Sequence, residues 1–289
     1  MSTTTSTQLE TSPAMPLRLI RSELLKIRTT SVWWLLGISA LAAIALALAV
    51  NAWIAHNVLK KDPTQLGLSV EDAVAQADAA VQAANLYTSG QFFGLMFVML
   101  IGILMVTNEF FHQTATTTFL TTPRRTTVIF GKLAAACLVG FGFWLATTLI
   151  DLAVGSIFLS MEGYGSQLGE WPVQRALLLN LLAYMIWTVL GIGIGTLITN
   201  QLGAVITASV AYLVGTQVIG LLFFLLANWL ENEKIIQWQV IWPSIASQVM
   251  ITPDLPNLPA WWVGALILIG YALVTGLIGI LITRKRDIS

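Results

Sequence analysis

The sequence predicts an all-α integral membrane protein with six transmembrane helices. Three observations carry this: six long apolar runs, a scarcity of charge, and a one-sided placement of lysine and arginine. A helix needs roughly 20 residues to cross the hydrocarbon core of a bilayer. The runs at 32–53, 88–107, 128–159, 176–198, 202–227 and 260–282 are each close to or beyond that length. Hydrophobic residues make up 56% of the chain and charged residues 10%, against about 25% charged in soluble domains. The net charge is zero, so no basic field argues for a nucleic-acid partner.

With the N-terminus inside, Arg18, Arg21, Lys26, Arg28, Arg124, Arg125, Lys132, Arg284, Lys285 and Arg286 collect on the cytoplasmic side. Lys60, Lys61, Arg175 and Lys234 fall outside. That bias places both termini in the cytoplasm, because basic loop residues resist translocation. Trp171, Trp229, Trp238, Trp261 and Trp262 mark outer edges, where an amphipathic indole sits well.

Residues 1–16, rich in Ser and Thr with Pro13 and Pro16, read as a disordered cytoplasmic leader, followed by one six-span domain over 17–289. In 17–28, Leu17, Ile20, Leu24 and Ile27 recur at helical spacing beside Arg18, Arg21, Ser22 and Lys26. This is the pattern of a basic amphipathic helix lying in the membrane interface among lipids. The first span follows at once, and it exceeds the about 7–15 apolar residues of a signal-peptide core. Between spans one and two, Ser69 and Asp72 resemble a capping box, and Val70, Val74, Ala77 and Val81 predict one face of a short helix. The turn at 199–201 makes spans four and five a tight hairpin. The apolar but broken stretch 228–259, between spans five and six, reads as a pair of short re-entrant or interfacial helices. Gly90 with Gly94, and Gly191 with Gly195, carry the small-xxx-small spacing of close helix contacts.

The chain offers little chemistry. It contains no phosphate loop, since Gly131-Lys132 lacks the upstream glycine and the hydroxyl residue, and no H-E-x-x-H. Its two histidines, His56 and His112, sit near opposite faces, and Cys137 is a lone small hydrophobe inside a span. No catalytic residue, metal site or bound cofactor is expected. One charge lies within a span: Asp151, in the outer part of the third. Arg175 is the natural structural partner, and a direct substrate or ion role is the other reading. Asn180, Thr216 and Gln217 are milder polar points in the same candidate intramembrane site.

The most specific stretch lies between spans two and three, from Asn108-Glu109-Phe110-Phe111-His112 through the threonine run to Pro123-Arg124-Arg125. Glu109 suits a helix start, Pro123 a helix stop, and Phe110, Phe111, Phe119 and Leu120 supply apolar anchors. Together they predict a short, stiff helix close to the membrane.

This stretch resembles the signature of the type-2 permease family of ATP-binding-cassette transporters, in which an acidic residue closing the second span precedes an aromatic, a threonine-rich helix, Pro-Arg-Arg and a lysine in the third span. Glu109, Phe110, Thr114, Pro123, Arg124, Arg125 and Lys132 match it in turn; Phe111 replaces a common basic residue and Gln113 a common glycine. Arg21-Ser22-Glu23-Leu24-Leu25-Lys26-Ile27-Arg28 with Trp33-Trp34 resembles the family's entry helix, and the composition is similar to that of actinobacterial members. The resemblance implies an exporter subunit without its own ATPase, paired with a second permease subunit as a homo- or heterodimer. A separate nucleotide-binding subunit would hold ATP and Mg. The stretch with Glu109, Phe110, Thr114, Phe119, Pro123 and Arg124 would be the coupling helix that docks on it. A secondary carrier, or a structural membrane protein without a motor, is the alternative.

Overall fold

In a computed structural model of the chain, residues 15–29, 32–60, 70–112 and 125–285 are described, and every regular element among them is helical. Helix α1 is Met15–Thr29, α2 Val32–Lys60, α3 Val70–Gln76, α4 Ala79–Tyr87 and α5 Gln91–Phe111. Helix α6 is Arg125–Met161 and α7 Trp171–Leu197; α8 (Gln201–Val210) runs through a π turn at Ala211–Gly215 into α9 (Thr216–Trp229). A 3-10 helix at Glu233–Ile241, α10 (Pro243–Ile251) and α11 (Trp261–Lys285) complete the order. The expected leader lies outside the described residues up to residue 14, and Met15 and Pro16 already belong to α1. The Ser69 end of the expected capping box also lies outside them.

Among the described residues, six helical segments are long and apolar enough to cross a membrane: Trp34–Lys60, Ala79–Phe111, Phe130–Met161, Trp171–Leu197, Gln201–Trp229 and Trp261–Gly279. The chain is therefore a multi-pass membrane protein. The second span departs from the apolar run at 88–107. Asp78 ends α3 and caps α4, its carboxylate accepting from the Ala80 N–H at 2.8 Å, so Val74 and Val81 fall on different helices. Val74 is exposed while Val81 is buried with the rest of α4. Helix α4 is thus the first part of the second span rather than a continuation of the short helix before it.

The span breaks at Thr88-Ser89-Gly90. The Thr88 and Ser89 hydroxyls donate back to the carbonyls of Ala84 (2.8 Å) and Asn85 (3.1 Å), a local bond that competes with the helix ladder. Gly90 then takes Ile44 of α2 to within 3.0 Å of where a Cβ would stand.

Helices α5 and α7 form the centre, and α2, α6, the α8–α9 span and α11 surround them with apolar faces turned outward. The central pair meets through glycine. A Cβ on Gly191 would strike the Met99 carbonyl, one on Gly102 the Thr188 carbonyl, and one on Gly195 the Ile103 carbonyl at 2.9 Å. The glycine spacings seen in the sequence therefore serve contacts within this chain, Gly94 taking the Tyr184 ring in the same way. Backbones at such distance gain dispersion contacts that a membrane gives no hydrophobic force to replace.

At the end away from α1, the 3-10 helix and α10 occupy the 228–259 segment, as two short helical pieces. Trp242 packs on Gly215 in the π turn, 2.6 Å from its Cβ position, and the Tyr212 hydroxyl donates to the Phe92 carbonyl at 2.7 Å. The Trp187 indole donates to Ser247 at 3.2 Å and stands edge-on to Tyr212, with ring centroids 4.9 Å apart. At the same end, His56 (2.7 Å) and Lys60 (3.1 Å) of α2 hold Glu162 beyond α6. The His56 hydrogen bond first, and that of Lys60 second, keep the Glu162 carboxyl below its ordinary range.

The glycine seam generates a stability test. Gly191→Ala is expected to cost about 1–3 kcal/mol, since an added methyl must displace backbone. Gly142, with nothing within 4 Å of its Cβ position, serves as the control: Gly142→Ala is expected to be neutral or stabilising. Thermal unfolding of the two variants in detergent reads the difference.

Candidate functional site

Where α1, α5 and α6 converge, four charged side chains close a ring. Lys132 of α6 donates to Glu23 Oε2 (2.7 Å), to Glu109 Oε1 (2.8 Å) and to the Met105 carbonyl (3.3 Å). An ammonium has three protons, and all three are used. Lys26 donates to Glu23 Oε1 (2.7 Å) and to the same Glu109 oxygen (2.6 Å). Two carboxylates and two ammoniums sum to zero charge.

Each member is placed by its helix. Ile20, Leu24 and Ile27 of α1 pack on Met105, Val106, Ala135 and Ala136, and Glu23 stands on this same face. It is buried to 4% exposure, beside Glu109 at 6% and Lys132 at 7%. Gly131 lets Leu19 come within 3.2 Å of its Cβ position, so α1 lies close against α6 at the level of Lys132. Burial works against the charge of Lys26, but its hydrogen bonds to Glu109 and Glu23, with their negative charges, outweigh it and raise its pKa above 10.5.

Glu109 lies in the last turn of α5, whereas the sequence reading places it at a helix start. The apolar run continues through Phe110 and Phe111, so the helix does too. At this end the helix dipole opposes a carboxylate, and the two lysines supply the compensation. Phe110 and Phe111 line a groove of about 900 Å³ with Leu36, Leu100, Asn200 and Leu202. Thr114, Phe119, Pro123 and Arg124 lie outside the described residues, and so does the expected short helix that carries them.

The second candidate site separates into three places. The expected Asp151–Arg175 pair does not form: Arg175 pairs with Asp254 and lies 5.9 Å from the Trp261 ring. Arg175 is in the first turns of α7, at the membrane edge, where the Asp254 carboxylate of the α10–α11 connection reaches it. Asp151 sits deeper, 1% exposed, and accepts the Gly90 N–H at 3.2 Å. The Tyr184 hydroxyl donates to the Gly90 carbonyl at 3.4 Å and lies 3.3 Å from the Thr147 hydroxyl. Asn180 is buried on α7 one turn from Tyr184. Gln217 is far from both in its contacts: it lines a separate cavity of about 250 Å³ with Gln239, Gln248 and Thr252. Among the described residues, no group of three or more His, Cys, Asp or Glu is arranged to hold a metal.

Sequence reasoning found Glu109 and Lys132 but gave Glu23 no role. The signal was present: Glu23 interrupts the apolar stripe of α1 on its buried side, and a carboxylate there requires a cation from elsewhere.

Removing one member of the ring leaves a buried charge unmatched, which costs about 3–5 kcal/mol. Lys132→Met is therefore expected to lower the thermal midpoint strongly, and Lys132→Met with Glu109→Gln to recover part of the loss, leaving Glu23 paired with Lys26. Additive losses in thermal unfolding contradict the ring. The part of the stability that Lys26 contributes is fully present below 10.5 and disappears as pH rises through its higher folded value.

Residues 19–215 match the family profile described as ABC-2 family transporter protein. No curated protein matches the chain.

Proposed function

The chain belongs to the ABC-2 transporter family, so it is a permease component rather than a catalytic enzyme, and from that premise we propose that it exports its substrate using ATP hydrolysed by a separate nucleotide-binding subunit. The observation that carries this reading is the ring of Glu23, Lys26, Glu109 and Lys132. Its Glu109 opens the stretch, from Glu109 to Thr122, that resembles the family's coupling helix. A partner pressing on that stretch acts on the end of α5. The ring ties that end to α1 and to the start of α6, so three elements respond together. Coupling needs an element that two partner states bias differently, and a neutral ring supplies stiffness without a net charge to desolvate. ATP and Mg belong to the partner. A second permease subunit completes the assembly, with α1 at the cytoplasmic face of a bacterial cell membrane and both termini inside.

Orientation is tested with single cysteines in a Cys137→Ala background. Those at Gln76 and Gln167 are expected to react with an impermeant thiol reagent on intact cells, and one at Thr116 to stay unlabelled. Labelling at Thr116 from outside inverts the arrangement.

Coupling is tested on the complex with its co-purified ATPase. Phe119→Ala and Glu109→Gln are expected to reduce substrate-stimulated ATP hydrolysis by about 5–150-fold, the span of coupling free energies of about 1–3 kcal/mol. Phe119→Ala is expected to leave the permease's thermal midpoint unchanged. Normal assembly, hydrolysis and transport in both variants would show that this stretch is only a connector.

A further inference from the structure

Asp151 is a carboxylate in the interior of a membrane protein with one hydrogen bond and no basic partner. Its Oδ2 takes the Gly90 N–H, and its Oδ1 has no partner among the described residues. No Lys, Arg or His lies within ion-pair distance of it among them. A buried charge in this state is costly and marks function more often than structure.

It does not stand alone. Asn180 Oδ1, Gln91 Oε1 and Thr148 Oγ1 are buried without partners too. The register of the helices brings them to one level. Helices α6 and α7 are antiparallel, and Thr147 meets Tyr184 across them at 3.3 Å. One turn further from the α1 end, Asp151 on α6 is therefore level with Asn180 on α7. Thr148 lies one turn before Asp151 on α6, and Gln91 follows Gly90, whose N–H bonds Asp151.

The unmatched groups share one chemistry. All are oxygens, and neither an ionised carboxylate nor an amide oxygen has a proton to give. Carboxylate and amide oxygens gathered at one level without donors call for an electron-poor species among them. Packing sets its size: Ile44 closes on Gly90 to 3.0 Å of the Cβ position, and the Tyr184 ring fills the space beside Gly94. Contacts this close favour a small ion over an organic ammonium. Oxygen donors at a break in a transmembrane helix are a hard-ligand set of the kind that holds small ions.

We propose that Asp151 and Asn180, with Gln91 and Thr148, form an intramembrane site for a bare monovalent cation of the sodium class, seated at the break between α4 and α5. The ion supplies the positive charge that Asp151 lacks. It also fastens α6 and α7 to the start of α5, at the end of that helix opposite the Glu23–Lys132 ring. The inference does not rest on an ATPase partner and is read on the subunit alone.

The test uses the full-length subunit purified in detergent. Radioactive sodium binding is measured against choline, and dicyclohexylcarbodiimide labelling of Asp151 is followed by peptide mass spectrometry. The expected result is saturable sodium binding that Asp151→Asn abolishes and Asn180→Leu weakens about tenfold. Sodium, but not choline, is expected to protect Asp151 from the carbodiimide. The labelling arm uses unaltered protein and decides the matter even where a variant fails to fold. Labelling that sodium leaves unchanged, without saturable binding, shows a carboxyl that holds a proton and overturns the proposal. So does sodium binding that survives in Asp151→Asn, or the absence of both binding and labelling.

Discussion

A lysine ammonium held between two carboxylates at the edge of a hydrocarbon layer can persist only if every charge around it is matched. Lys132 meets this condition through Glu23 and Glu109, and Lys26 cancels the remaining negative charge. In such surroundings the desolvation of each ion costs several kcal/mol, and only close, complete pairing offsets it. That requirement fixes the architecture at this end. Helix α1 cannot leave without parting Glu23 from Lys132 and Lys26 from Glu109, and α5 cannot shift along its axis without parting Glu109 from both lysines. The ring therefore makes three segments, far apart in sequence, into one mechanical unit.

The rest of the bundle is held by different forces. Along the α5–α7 seam, Gly102, Gly191 and Gly195 bring backbones into contact, so that shape rather than charge sets the helix positions. At the far end, the Trp187–Tyr212 pair and the seat of Trp242 on Gly215 lock the π turn against the 3-10 helix and α10. Helix α5 thus runs from the ring, past this close-packed centre, to the break at Gly90, where Asp151 lies.

Much of this was legible in the residues. Apolar runs of bilayer length mark the spans because a single segment that long in lipid satisfies its own backbone only as a helix. The stripe Ile20, Leu24, Ile27 marks the packed face of α1. What escaped reading has a common cause: partners chosen by distant packing. Lys132 and Glu23 are separated by 109 positions, and nothing local ties them. Arg175 was the nearest cation to Asp151 on the outer side of the chain, yet the α10–α11 connection delivers Asp254 to it instead. The second span was misjudged at its start because Asp78 and Thr88–Gly90 act through capping and side-chain bonds, which an apolar run does not reveal. The polar level shared by Asp151 and Asn180 required the register of two antiparallel helices.

The central claim is that the charge ring fastens α1 to the bundle. Hydrogen–deuterium exchange of the α1 amides, in unaltered protein and in Lys132→Met, tests it most directly. Loss of the ring is predicted to release α1 locally, so its amides should exchange about tenfold faster or more while those of α7 stay protected. Equal protection of α1 in the two proteins would contradict the account, because the helix would then be held by its apolar face alone.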